Sequence, residues 1–341
     1  MIFANVYSTD HSANSMFAEQ DPVNFYGPTY TYRLVRNYFR SRNIEINTPD
    51  LNKNNKVDFE IYVEGQAINK NPLPKYFIAQ ENPNINALNN DIFYAYNFSK
   101  VFTWNKKIAN RDCDVLLMVP FQVQLFDFLG YEHRNLFSCL INGNKRFSTY
   151  SEDDLYEERF SLIDWYQRHA PEDFSLFGRG WDKPKGGVTR KEKLIRRGKR
   201  LATQLFGYRP FPSWRGAVVD KGDVYSNSKF AYCYENTKNL ENYITEKIFD
   251  AMMYGCVPIY WGAQNVLNFI PKECFIDRRD FDSQQSLHNY LKSMSPEIYQ
   301  TYQDSIYEFL RSDKILPFKA ETYATRVVDE IIHDLQIKKL I

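Results

Sequence analysis

Four short apolar runs constrain this chain more than any other feature: FEIYV (59–63), KYFIAQ (75–80), KVFTWN (100–105) and DVLLMVP (114–120). None alternates strictly between apolar and polar residues. An alternating run buries one face of a strand, whereas an unbroken run suits a strand covered on both faces. Sheets of that kind are parallel and need helical crossovers. A strand at IFANVY precedes the runs. So does a helix over roughly Thr29 to Arg42, with Tyr32, Val35, Tyr38 and Phe39 at helical spacing. The first part of the chain therefore reads as α/β.

From about Ile141 the pattern restarts. A helix is expected from Asp154 to about His169, with a turn at Pro171. It is followed by FSLFGRGW (174–181), KFAYCY (229–234), a helix after Thr245, and VPIYW (257–261). The expected organisation is an N-terminal Rossmann-like domain over 1–140 and a C-terminal one over 141–320. A last helix within 321–341, with Val327, Val328, Ile331, Ile332 and Leu335 at helical spacing, could pack back on the N-terminal domain. Two such halves are expected to face a cleft, with ligands at the carboxyl ends of the strands.

The 43% hydrophobic content excludes a disordered chain, and a net charge of +1 gives no electrostatic reason to expect nucleic acid. Cys113, Cys139, Cys233, Cys256 and Cys274 are odd in number and lack metal-ligand spacing, so they read as reduced thiols in a reducing compartment. The N-terminus MIFANVYSTDHSAN has neither the basic region nor the apolar region of a signal peptide. No stretch reaches the length of a transmembrane helix. The sequon at Asn97 carries little weight in a chain not expected to be secreted.

Residues 183–200, KPKGGVTRKEKLIRRGKR, hold nine Lys or Arg and one Glu. They read either as a solvated face or as a contact for an anionic surface such as lipid head groups. Leu194, Ile195, Leu201 and Leu205 would be the apolar side of that contact. The Asp112-Cys113-Asp114 triplet has the form of a metal-binding pair. It precedes a strand, however, where such a pair is expected at the far end, and no metal role is expected for it.

The most informative segment is YITEK (243–247), directly ahead of the apolar run IFDAMMYGCVPIYWG. Thr245 can cap a helix starting at Glu246, and Gly255 suits the position after its end. A helix N-terminus favours an anion, and Lys247 adds positive charge there. The bland alternative is a glutamate placed only for the helix dipole.

The whole stretch FAYCYENTKNLENYITEKIFDAMMYGCVPIYWG (230–262) resembles the signature of the α-1,3/4-fucosyltransferases, glycosyltransferase family 10, bacterial type. The family's aromatic-Glu-Asn pair, Tyr-x-Thr-Glu-Lys, helix and Val-Pro-x-Tyr-Trp-Gly strand follow in order. ERFSLIDWYQRHAPEDFSLFGRGW (158–181), FIAQENPNI (77–85) and FSKVFTWN (98–105) are similar to further family segments, so the likeness covers roughly residues 75 to 275. Family members have the GT-B fold of two Rossmann-like halves, which agrees with the α/β pattern.

The resemblance implies inverting transfer of L-fucose from GDP-fucose to a Gal/GlcNAc-containing glycan, with an α-1,3 linkage expected. It assigns Glu81 as general base, although the family's Glu-Ser-Pro is Glu-Asn-Pro here. It assigns Arg159 and Lys247 to the donor diphosphate, Glu246 to the fucose and ribose hydroxyls, and Tyr243 and Asn236 to donor contact. Glu235 ranks lower, Arg179 is expected to be structural, and Arg215 has no assigned role. On its own, Arg159 would read as an exposed helix residue. With Arg159 and Lys247 on the phosphates the chemistry needs no cofactor, and a divalent ion would at most stimulate it.

The partners implied are GDP-fucose and an oligosaccharide or lipid-linked glycan. The expected location is the cytoplasm, peripheral on the inner membrane face. The C-terminus, HDLQIKKLI, shows none of the heptad repeats of some bacterial relatives. The alternatives are a GT-B enzyme using another nucleotide sugar, or a catalytically silent glycan-binding protein of the same fold. The joint presence of Glu81, Arg159, Glu246 and Lys247 argues against the silent one.

Overall fold

Three of the four unbroken apolar runs become strands covered on both faces. A computed structural model describes residues 1–9, 11–19, 28–147, 151–185, 190, 194–198, 201, 205 and 208–340. Every residue of the strands β3 (Phe59–Val63), β4 (Lys75–Ala79) and β5 (Lys100–Thr103) is buried. They join β1 (Ile2–Ser8), β2 (Ile44–Asn47) and β6 (Val115–Leu116) in a six-stranded sheet of order β2-β1-β3-β4-β5-β6. All its pairings are parallel, with Ile61 opposite Tyr76 and Phe77 opposite Val101.

Side-chain alternation along these strands sorts them into two cores. Phe59, Ile61, Tyr76 and Ile78 join Val35 and Phe39 of the helix Pro28–Arg40 and Val327, Val328 and Ile331 of the helix Ala320–Ile337. Tyr62, Phe77 and Val101 face the other way, against Ala95, Phe98 and Ile108.

A second parallel sheet has the order β11-β10-β9-β7-β8. Its strands are β7 (Leu136–Ile141), β8 (Ser175–Phe177), β9 (Ser228–Tyr234), β10 (Val257–Trp261) and β11 (Ile276–Asp277). Its core gathers Leu140, Leu176, Phe230, Val257 and Ile259 with Leu162, Ile163 and Tyr166 of the helix Leu155–His169. In both sheets the chain starts in the interior and winds outward in both directions. The direction of winding reverses between β1 and β3 in one and between β7 and β9 in the other. Both sheets are therefore of the Rossmann-like α/β kind.

By packing, residues Met1–Val123, Glu241–Glu246 and Asp313–Ile341 form one compact unit, and Gln124–Leu240 with Lys247–Ser312 form the second. The sequence placed its boundaries at 140 and 320. Residues 124–140 belong to the second unit because of where their side chains go. Phe126 stacks on Tyr254 at 4.4 Å, and the buried Arg134 guanidinium donates to the carbonyls of Tyr225, Ser228 and Tyr254, each at 2.8 Å. The strand β7 and the helices Gln284–Ser293 and Pro296–Arg311 were not named from the sequence. DVLLMVP forms a strand only at Val115–Leu116.

Candidate functional site

In the first unit, two residues beyond β4, stands Glu81. Its Oε1 accepts hydrogen bonds from the Asn82 N–H at 2.8 Å, the Asn82 side-chain amide at 3.1 Å and the Tyr243 hydroxyl at 3.2 Å. Asn82 is fully buried, and its amide also donates to the Tyr243 oxygen at 3.3 Å. Asn82 therefore binds the carboxylate directly. Among the described residues Oε2 of Glu81 has no hydrogen-bond partner, so one oxygen is oriented and the other is available to take a proton.

Tyr243 is buried, and its ring lies 4.8 Å from that of Trp104. The Trp104 indole donates to the Gln80 carbonyl at 2.7 Å, and Asn242 donates to the Trp104 carbonyl at 3.1 Å. Residues 241–246, which include Tyr243 to Glu246 of the YITEK segment, are thereby fastened to the loop that carries Glu81. Asn242 takes the left-handed conformation (φ 64°) that asparagine tolerates better than most residues. The Tyr243 hydroxyl, expected to contact the donor, donates to the candidate base.

In the second unit the polar residues gather at the carboxyl ends of β9 and β10. Arg159, on the helix Leu155–His169, is only 1% exposed, against the exposure its sequence position suggested. Its Nη2 donates to the carbonyls of Tyr234 and Glu235 and, at 3.3 Å, to Oδ1 of Asn236. Its guanidinium lies over the Tyr156 ring at 4.7 Å. The same helix begins at this point: the Leu155 N–H donates to the Asn236 carbonyl at 3.2 Å, and Asp154 caps it. This is the reversal point between β7 and β9, where α/β sheets bind ligands.

Lys247, in the first turn of the helix Glu246–Met253, pairs with Glu235 at 3.2 Å. The Glu235 side chain has no exposure at all. That burial explains the glycine closing the YWG triplet. A Cβ on Gly262 would lie 2.4 Å from Cγ of Glu235 and 2.4 Å from the Tyr260 hydroxyl. The structure thus brings Arg159, Glu235, Asn236 and Lys247 together in one unit, and Glu81 and Tyr243 in the other. Glu246 is the last residue of the segment that packs with the first.

Arg179 is exposed, and it is its carbonyl that serves the structure, accepting the Asn144 N–H at 3.0 Å. Arg215 lines a cavity of about 430 Å³ with Trp181, Arg209, Phe211 and Trp214. Asp114 is bound by Arg111 at 2.6 Å ahead of β6, and no cluster of three or more His, Cys, Asp or Glu suited to a metal occurs among the described residues. Sequence reasoning missed Glu64, Asn82, Asn89 and Trp104. No spacing rule singles them out, because they meet Glu81 only through the strand ends.

The family model described as glycosyltransferase family 10 (fucosyltransferase) C-term matches residues 199–312, the stretch that supplies Glu235, Asn236, Tyr243, Glu246 and Lys247. This stretch is similar to the C-terminal domain of that family. An α-(1,4)-fucosyltransferase of Arabidopsis thaliana is 44% identical over 79 residues, 23% of this chain and 20% of that protein. The α-(1,3)-fucosyltransferase FucT of Helicobacter pylori is 34% identical over 91 residues, 27% of this chain and 19% of that protein. The match thus spans about a fifth of the length of these curated relatives. A crystal structure of an α1,3-fucosyltransferase with GDP superposes with a TM-score of 0.52 at 14% identity, covering 98% of this chain and 90% of that one. At that identity the likeness concerns the fold alone, which is of the GT-B class. Among the described residues, no helix is long and apolar enough to cross a membrane.

Proposed function

We propose that the protein transfers L-fucose from GDP-fucose, with inversion, to a hydroxyl of a Gal/GlcNAc-containing glycan, forming an α-1,3 linkage. The observation that carries this reading is the cationic cluster at the reversal point of the second sheet, inside or adjoining the family 10 domain. A leaving diphosphate needs fixed positive charge, and Arg159 and Lys247 supply it at strand ends that the fold keeps rigid. Asn236 and Glu246 would hold donor hydroxyls. Glu81 would take the acceptor proton through Oε2 while Tyr243 and Asn82 fix Oε1. The named activities of the relatives, α-(1,4) and α-(1,3) fucosyl transfer, and the GDP bound by the superposed structure support the choice of donor.

With two cations on the phosphates, turnover is expected to survive EDTA, a divalent ion at most stimulating it. The acceptor is an oligosaccharide or lipid-linked glycan, and cytoplasmic action at the inner membrane face belongs to the same proposal. Leu194, Ile195, Leu201 and Leu205 are exposed beside the basic residues of 183–200. Of that stretch, residues 186–189, 191–193 and 199–200 lie outside the described residues. Deleting 183–200 is expected to abolish binding to anionic vesicles and spare soluble activity; unchanged vesicle binding would remove the membrane contact.

The deciding experiment is calorimetric titration with GDP, GDP-fucose, GDP-mannose and UDP-galactose, on the wild type, Lys247→Ala and Glu81→Ala. Binding of GDP and GDP-fucose that Lys247→Ala weakens and Glu81→Ala spares is the expected result. Binding of UDP-galactose alone would transfer the reading to another nucleotide sugar. Absence of binding by all four would favour a silent glycan-binding protein.

A further inference from the structure

Glu64, directly after β3, takes a conformation that glutamate rarely adopts. Its φ is 62°, whereas among the described residues four of the other six non-glycine residues with positive φ are asparagines. A left-handed non-glycine residue costs roughly 1 kcal/mol, and such strain persists where surrounding contacts demand it. The contacts here are specific. The Glu64 N–H still pairs with the Ile78 carbonyl of β4 at 2.9 Å, and the chain then turns so that the side chain reaches the loop after β4.

Oε1 of Glu64 accepts the N–H of Gln80 at 3.1 Å and that of Glu81 at 3.2 Å. Oε2 accepts the Glu81 N–H at 3.2 Å and the Asn89 side-chain amide. The Asn89 amide also donates to the Glu81 carbonyl at 2.9 Å, and its Oδ1 accepts the Gly65 N–H at 2.9 Å. With the Trp104 indole on the Gln80 carbonyl, every main-chain polar group from the Gln80 N–H to the Glu81 carbonyl is held by a side chain.

We propose that Glu64 is a positioning residue for Glu81: by receiving the N–H groups of Gln80 and Glu81, its carboxylate fixes the direction in which the Glu81 side chain leaves the backbone. This rests on the reading of Glu81 as general base. All of these neighbours donate, so only the ionised carboxylate serves them; a proton on either oxygen would face donors and displace at least one bond. Burial pushes the Glu64 carboxyl up to about 7, against the hydrogen bonds from Asn89, Gln80 and Glu81, which favour the charged form. The titratable groups facing it are Glu81 from the loop after β4, Tyr32 from the helix Pro28–Arg40 and Tyr323 from the helix Ala320–Ile337. The orientation of Glu81 is therefore coupled to a proton near neutral pH, and turnover should fall as that proton binds.

The test is GDP release from GDP-fucose, with N-acetyllactosamine or water alone as acceptor, across pH 5.5 to 9 for wild type, Glu64→Gln, Asn89→Ala and Glu81→Ala. Displacing a catalytic group by about 1 Å costs up to roughly 100-fold. Glu64→Gln is expected to lose about 10- to 100-fold in kcat, to keep its KM for GDP-fucose and its affinity for GDP, and to lose the acid limb centred near pH 7. Asn89→Ala removes a bond that lowers the Glu64 pKa, so its limb should move to higher pH with a smaller loss in kcat. Should Glu64→Gln fail to fold, that displacement decides, and a limb that stays in place overturns the proposal. Wild-type kcat and limb in Glu64→Gln, with Glu81→Ala inactive, overturn it while sparing the base. Full activity of Glu81→Ala, or a wild type inert in both arms, removes the base and this inference together.

Discussion

The loop that carries Glu81 and the helices that carry Arg159 and Lys247 prepare opposite charges by opposite means. Around Glu81 the holders are neutral: a main-chain N–H, an amide and a hydroxyl, all on one oxygen. Around Lys247 the partner is a full charge, the buried carboxylate of Glu235, and around Arg159 it is a set of carbonyls. The difference fits the roles proposed for these groups. A base must keep a lone pair open, and a full positive partner would hold its proton-accepting form too tightly. A cation meant for a phosphate must stay charged while partly or wholly removed from water, and an internal counter-ion or carbonyl cluster preserves that charge.

If this contrast is right, the largest effect belongs to the base. Glu81→Gln keeps the shape and most donors around Oε1 but cannot take a proton, and turnover is expected to fall about 10²- to 10⁴-fold with GDP affinity unchanged. Steady-state rates beside GDP titration check both halves; a parallel loss of affinity would place Glu81 on the donor.

The next effect concerns the ion pair. Lys247→Met removes the cation that pairs with the buried carboxylate of Glu235, and a loss of about 3 kcal/mol in unfolding free energy is expected together with weakened GDP binding. Adding Glu235→Gln removes that carboxylate's charge. Urea unfolding should then show stability partly restored and calorimetry should show affinity still lost. Recovery of both would mean that Lys247 serves only the fold.

Gly262→Ala forces a methyl to 2.4 Å from both Cγ of Glu235 and the Tyr260 hydroxyl. About 2 kcal/mol of destabilisation is expected, with donor binding weakened through Glu235. A neutral result by thermal unfolding would mean that the strand end yields easily.

The smallest effect returns to the first unit. Glu64 is raised from its ordinary value of 4.5 to about 7. The stability it contributes is full below pH about 4.5 and is lost as pH rises through about 7. Wild type should therefore lose on the order of 1 to 2 kcal/mol between pH 5 and 7.5 from this group, allowing for its partial exposure, and Glu64→Gln should lack that slope. Stability and orientation of Glu81 oppose each other here: the charged form that holds the loop is the form that folding disfavours.

Much of the frame was legible because parallel strands must be apolar on both faces. FEIYV, KYFIAQ, KFAYCY and VPIYW announce themselves without any partner known, and β3, β4, β9 and β10 lie there. β2, IEIN, is too short and polar to stand out, and β7, LFSCLI, directly follows an irregular segment. Arg159 looked exposed because a helical arginine usually is; its burial depends on the carbonyls of Tyr234 and Glu235, some 75 residues away in the chain. Asn82 looked like a mild departure from a motif, and only its contacts with Glu81 and Tyr243 reveal a polar clamp.

The sequence by itself determined the class of sheet and the order of the chemical groups, because local apolar pattern and a thirty-residue motif are properties of neighbouring positions. The tertiary structure alone decided which groups act on one another. Glu64, Glu81 and Tyr243 are separated by long stretches of chain and meet only because β3 pairs with β4 and residues 241–246 return to the same loop. The physical reason is that a hydrogen bond depends on distance and direction in space, and a parallel sheet sets both by joining strands that the sequence keeps apart.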